Sequence, residues 1–289
     1  MKTIAEKYGY APNAERIGKS IELLSLNLNQ LASREALLNC FSMMDLTTLH
    51  TNDTPQSVGK LVDKVNRLKQ EFPSYPLPAS ICVYPNFASV VASRRFNPDV
   101  HVTVVSGCFP SSQSFLEVKV KECEMAVAAG AEEVDIVLAL NSFLAGDYDA
   151  AAKEILAIRE ACKDVVLKVI LETGLLVTPE RIADASFLAM ECGADFIKTS
   201  TGKVDVNATP MAAYVMCECI REFYEQTGKK VGFKAAGGIS SAADAVSYYA
   251  IVSSVLGPQW LDKSLFRLGV SRLGNALMSE IEGSTVNFF

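Results

Sequence analysis

From Cys40 onward, short apolar runs alternate with stretches whose apolar residues recur at the three-to-four spacing of a helix face. The runs at 41–49, 80–84, 100–106, 133–140, 166–172, 195–199, 230–235 and 265–270 predict eight strands. The stretches at 54–72, 114–129, 147–162, 179–192, 210–227 and 241–256 predict helices between them. Thr178-Pro179 and Thr209-Pro210 carry a helix-start signature, with proline in the first turn where its missing N–H is not needed. The segment between strands two and three is the weakest, with a short helix at most over 86–93. Ahead of the repeating part, Ile17, Ile21, Leu24, Leu28 and Leu31 fall at helical spacing within 13–38 and predict one or two amphipathic helices. Their apolar face is expected to pack on the rest of the chain or on a second subunit.

Eight strands alternating with helices predict an α/β fold, a (β/α)₈ TIM barrel with an N-terminal helical extension. The extension is placed at 1–38 and the barrel domain at 39–289, with no composition break inside it. A doubly wound sheet is the alternative that periodicity allows. Charge spacing favours the barrel. Asp135, Lys168, Lys198 and Lys234 interrupt four consecutive strands at steps of 33 (168 − 135), 30 (198 − 168) and 36 (234 − 198), each about one βα unit. A barrel brings all four toward one axis, whereas an open sheet spreads them in a row.

Composition narrows the function. With 289 residues, 49% of them hydrophobic, the chain can bury a large core. A net charge of −6 argues against nucleic acid as a partner, no apolar run reaches membrane-spanning length, and residues 1–20 lack the apolar stretch of a secretory signal. The eight cysteines form no C-x-x-C pair and read as reduced, mostly buried thiols of a cytoplasmic protein. Two histidines are too few for a histidine-rich metal centre, so no metal is expected.

The chemistry centres on two segments, GADFIKTSTGKV at 193–204 and VGFKAAGG at 231–238. In each a lysine follows an apolar pair, and lysine is rarely buried without a reason. An unperturbed lysine with a pKa of about 10.4 is only about 0.04% neutral at pH 7. A second ammonium nearby, together with partial burial, can make one of the pair a neutral nucleophile. The structural alternative is that Lys198 and Lys234 are each neutralised by a carboxylate such as Asp135 or Glu172. Asp135 can pair a lysine or move protons, and the two roles are compatible. Lys168 and Glu172 share a predicted strand face, and Lys168 reads as an ion-paired structural lysine. Asp45 and Thr47 lie in the first strand, where an aspartate bonded to backbone is the plain alternative to a supporting role. Cys82 reads as a core thiol, because no histidine lies nearby to activate it. Glycines close strands six to eight, in Thr201-Gly202-Lys203, Gly237-Gly238 and Gly269-Val270-Ser271-Arg272. They let backbone N–H groups approach an anion, and phosphate is commonly held at the loops after strands seven and eight of such barrels.

These segments, with MDLTTL (44–49), ICVYP (81–85), GAEEVDIV (130–137), LKVILETG (167–174), VNATP (206–210) and LFRLGVS (265–271), resemble the deoxyribose-phosphate aldolases over about residues 40–275. The resemblance implies a class I aldolase on a TIM barrel. Its reaction interconverts 2-deoxyribose 5-phosphate with acetaldehyde and glyceraldehyde 3-phosphate, with no metal or organic cofactor. It implies Lys198 as the Schiff-base lysine, Lys234 as the lysine that lowers its pKa, and Asp135 as the acid/base residue. Asp45, Thr47 and Lys168 are implied as supporting residues and Cys82 as a pocket residue. Phosphate contacts are implied for Thr201, Gly202, Lys203, Gly237, Gly238, Gly269 and Ser271. The partners implied are a phosphorylated sugar and small aldehydes, and a homodimer is compatible with the apolar extension. The chain departs from the family pattern at Ala235, Ser240 and Phe289, where the family commonly has proline, arginine and a terminal tyrosine. At Arg272 it has a cation where many members have a hydroxyl, which predicts that Arg272 restores the charge absent at Ser240.

Overall fold

Each predicted apolar run contributes one strand, and the eight strands close on themselves in chain order, every neighbouring pair parallel. In the computed structural model, which describes residues 3–289, they are β1 (Met44–Thr47), β2 (Ser80–Val83), β3 (His101–Val105), β4 (Glu133–Val137), β5 (Val166–Ile170), β6 (Phe196–Lys198), β7 (Gly232–Ala236) and β8 (Phe266–Val270). This is the (β/α)₈ barrel rather than the open sheet. Alternate strand residues such as Ile81, Val102, Val134, Leu167, Ile197 and Phe233 join the apolar core beneath the outer helices. The intervening positions on β1, β4, β5, β6, β7 and β8 carry the charged residues.

The helices Pro179–Glu191 and Pro210–Thr227 start as predicted, with the Thr178 and Thr209 hydroxyls accepting from the Arg181 and Ala212 N–H groups. A cap of this kind contributes about 1 kcal/mol. Three predicted strand ends are corrected. Phe41 and Ser42 form the last turn of the helix Arg34–Ser42, because Ser33 caps that helix and the apolar residues Cys40, Phe41, Met43 and Met44 span the helix–strand junction. Leu140 opens the short helix Leu140–Leu144. Glu172 lies beyond β5 in the left-handed region at φ 54, so it does not share a strand face with Lys168. The weak segment holds a 3₁₀ turn, Pro85–Phe87, and the helix Ala88–Arg94.

The extension contains the helices Ile4–Lys7, Ala14–Leu26 and Leu28–Leu31, more pieces than predicted, because the Asn27 side chain ends the longest one by donating to the Leu23 carbonyl. Helix Arg34–Ser42 runs across residue 38 into β1, so no linker separates extension and barrel. The extension is fastened to two outer helices. Tyr8 stacks on Phe187 at 4.3 Å, Asp184 accepts from the Ala5 N–H at 2.8 Å, and Glu218 accepts from Tyr10 Oη at 2.9 Å and from Arg16 at 2.6 and 2.8 Å. Leu23 and Leu26 stay exposed. No helix among the described residues is long and apolar enough to cross a membrane.

Candidate active site

Strand register decides which charges meet. Asp135 on β4 is level with Lys168 on β5, while Lys198 on β6 is level with Ile170, two residues further along, and with Lys234 on β7. Asp135 therefore lies between three ammonium groups. Its Oδ1 accepts from Lys168 Nζ at 2.9 Å, and its Oδ2 accepts from both Lys198 and Lys234 at 2.8 Å. Lys168 also donates to Glu133 Oε2 at 2.6 Å, and Lys234 donates to Asp45 Oδ2. Asp45 accepts in addition from Ser80 Oγ at 2.8 Å and from Arg267, so it is bonded to side chains rather than held by backbone. That corrects the plain alternative raised for it.

All these groups are buried, and burial decides the electrostatics. Burial alone would push Asp135 up, but the ammonium groups of Lys168, Lys198 and Lys234 overcome it and hold the carboxyl well below the usual range. Asp45 and Glu133 are drawn down against burial in the same way, Asp45 chiefly by Lys234 and Glu133 chiefly by Lys168. Burial favours the neutral form of a lysine, but carboxylates outweigh it at Lys168 and Lys234, whose pKa values rise. Lys198 is the exception. It has one carboxylate contact, and burial together with the Lys234 charge brings it below the ordinary lysine value. Burial is the larger cause and the second ammonium the smaller, the reverse of the emphasis drawn from sequence.

Above the network opens a cavity of about 240 Å³. Lys198 is the one network lysine that lines it, together with Thr47, Thr201, Gly202, Lys203, Gly237, Gly238, Gly269 and Ser271. Asp45, Asp135, Lys168 and Lys234 lie beneath. Cys82 does not line the cavity either. It packs with Leu49 and Val105, and burial raises its thiol pKa, so it stays protonated. Gly237 has φ +85, and a Cβ there would stand 2.6 Å from Asn207 Oδ1. Gly269 lets β8 approach Lys234, whose Cε would be 3.0 Å from a Cβ at that position. Lys203 reaches across the rim and donates to the Leu49 carbonyl at 2.7 Å. Glu172 binds Thr201 through N–H at 3.2 Å and Oγ1 at 2.6 Å, bracing that loop rather than a lysine.

One predicted phosphate residue is elsewhere. Arg272 lines an adjoining cleft with Asp53, Ser57 and Leu61, sharing with the cavity only Thr47, His50 and Ser271. Phe289 packs against Phe41 and Phe288, and its backbone is tied to Asn275, so the tail does not line the cavity. Two network members were not anticipated, Glu133 and Arg267. The signals were present: Glu133 stands two residues before Asp135 on one strand face, and Arg267 follows Lys234 by 33 residues (267 − 234) inside an apolar run.

A parallel barrel with a buried lysine of lowered pKa opening on a glycine-lined cavity at the carboxyl ends of the strands is an arrangement suited to the carbonyl chemistry of an aldolase. The chain belongs to the DeoC/LacD family of aldolases, whose family model matches residues 40–251. Within that family it groups with the deoxyribose-phosphate aldolases. The human deoxyribose-phosphate aldolase is 40% identical over 256 residues, covering 85% of this chain and 79% of its own length. A Caenorhabditis elegans relative is 40% identical over 275 residues, 94% of this chain and 90% of its own. The deoxyribose phosphate aldolase of Aeropyrum pernix, solved as a tetramer, superposes with a TM-score of 0.68 at 26% identity, covering 93% of this chain and 98% of that one.

Proposed function

We propose that the protein reversibly cleaves 2-deoxyribose 5-phosphate to acetaldehyde and glyceraldehyde 3-phosphate through a Schiff base on Lys198. The observation that carries this is the difference between the three lysines of the buried network, Lys168, Lys198 and Lys234. Only Lys198 both lines the cavity and has its pKa lowered. Its neutral amine attacks the substrate aldehyde, and loss of water gives an iminium. The iminium withdraws electrons from the C2–C3 bond, which breaks as the C3 hydroxyl gives up its proton. The resulting enamine is protonated and hydrolysed to acetaldehyde. Lys234, kept cationic, supplies charge beside the nitrogen, and Asp135 Oδ2 bridges the two lysines as the acceptor through which a proton can pass. The rim residues Thr201, Lys203, Gly237, Gly238 and Ser271 suit the phosphate, with backbone open to a ligand at Gly202 and Gly238. Eight unpaired cysteines support a reducing, cytoplasmic setting. The reaction places the protein in the breakdown of deoxyribonucleotide sugars.

Borohydride reduction in the presence of 2-deoxyribose 5-phosphate, followed by peptide mass spectrometry, tests the reading. A reduced adduct on the peptide carrying Lys198 is expected. An adduct on Lys234 or Lys168 would overturn the assignment of roles, and no adduct on folded protein would overturn the reaction.

A further inference from the structure

Inside the barrel three lysines and one arginine face three carboxylates in one hydrogen-bonded set, and the carboxylate oxygens are divided unequally among them. Arg267 takes Asp45 Oδ1 at 2.5 Å and both oxygens of Glu133, at 2.7 and 3.0 Å. Lys168 takes Glu133 Oε2 and Asp135 Oδ1, and Lys234 takes Asp45 Oδ2 and Asp135 Oδ2. Lys198 has only Asp135 Oδ2, which it shares with Lys234. A guanidinium does not lose its proton. The excess positive charge is therefore relieved at a lysine, and Lys198 forfeits least by becoming neutral.

We propose that Arg267 is a positioning residue that makes Lys198 the neutral amine: by occupying Asp45 and Glu133 it leaves the three lysines too few carboxylate oxygens. The inference rests on the reading of Lys198 as the nucleophile and adds what selects it. Arg267 touches neither Lys198 nor the cavity. It is held from below by its carboxylates and by its place over the Phe196 ring, 5.6 Å from the centroid. The directions of the shifts agree: Lys168, Lys234 and Arg267 are drawn up while burial and Lys234 draw Lys198 down.

Other groups face Lys198 and its network from the remaining elements. Cys82 on β2 is kept protonated by burial. Glu172, after β5, has its oxygens on Thr201. His101 on β3 donates from Nδ1 to ionised Glu133 at 2.7 Å and is 40% exposed at the far mouth. His50 and Lys203 stand on the rim. None of these residues is itself substituted in Arg267→Met, Glu133→Gln or the double variant.

The test is trace acetylation of the folded protein with acetic anhydride across pH, without substrate, the Lys198 peptide being quantified by mass spectrometry. Arg267→Met should raise the Lys198 midpoint by about one unit, a tenfold slower labelling near pH 7. Glu133→Gln should move it in the opposite direction. The double variant keeps one cation in excess, as in the wild type, and should return close to the wild-type midpoint. Single variants that shift together, or not at all, overturn the proposal, because a merely structural role predicts no opposite signs and no restoration. If Arg267→Met does not fold, Glu133→Gln decides: a lowered midpoint supports the proposal and an unchanged or raised one overturns it. A wild type that fails to trap substrate while these shifts hold overturns the aldolase reading and leaves the charge division supported.

Discussion

The floor of the site and its rim are built on opposite principles. On the floor every carboxylate oxygen has a partner, and the donors come from strands, so that no member can move without stranding another. Breaking one such buried pair is costly because it leaves an uncompensated charge, even where the intact pair adds little net stability. At the rim the groups come from loops, the backbone at Gly202 and Gly238 is open, and Lys203 is parked on a carbonyl. The contrast teaches where selectivity for a proton and selectivity for a ligand reside. A pKa is set by groups that cannot rearrange, whereas the rim proposed for the phosphate is built largely from loop residues.

The comparison breaks most sharply at Lys198. Lys198→Arg keeps a long basic side chain but fixes its charge and removes the nucleophile, and should abolish both turnover and borohydride trapping while the protein remains folded by circular dichroism. Lys234→Met comes next. Losing the neighbouring cation and a proton donor together should lower kcat/KM by about 10²–10⁴-fold. The sign on pH is definite: activity rises as Lys198 loses its proton, and removing Lys234 takes away a charge that lowers its pKa, so the acid limb of kcat/KM should move to higher pH. At the rim, Gly237→Ala forces a side chain into the left-handed region against Asn207, with strain of about 1–3 kcal/mol. It should raise KM about tenfold, at 1.4 kcal/mol per decade, and change kcat little. Lys203→Ala should raise KM a few-fold for phosphorylated substrate only, with an effect that fades in added salt. Arg272→Ala should do less still, since Arg272 lines the adjoining cleft; equal affinities for phosphorylated substrate in variant and wild type would remove Arg272 from the phosphate site.

How legible the molecule was follows the same division. The barrel and its four lettered charges were readable because a charged residue inside an apolar run is conspicuous and the steps match one βα unit. Glu133 and Arg267 obey that rule equally well, Glu133 two residues before Asp135 and Arg267 33 residues after Lys234 (267 − 234). The pairing itself was not readable. It depends on barrel stagger, which sets Lys198 level with Ile170 rather than with Lys168. The left-handed turn that takes Glu172 off β5, the reach of Lys203 to Leu49 and the cleft that takes Arg272 are products of loop conformation, which leaves no period in a sequence.

The separation of Asp45 from its partners along the chain also has a meaning in time. Lys234 and Arg267 follow it by 189 and 222 residues. While the chain is being synthesised, Asp45 emerges early and stays hydrated until β7 and β8 have left the ribosome. Desolvation of the carboxylates is thus deferred to the closing of the ring between β1 and β8, and a chain stopped short of residue 267 keeps its acidic interior in water. The charges that surround the reactive amine are thus brought together in full only when β8 pairs with β1.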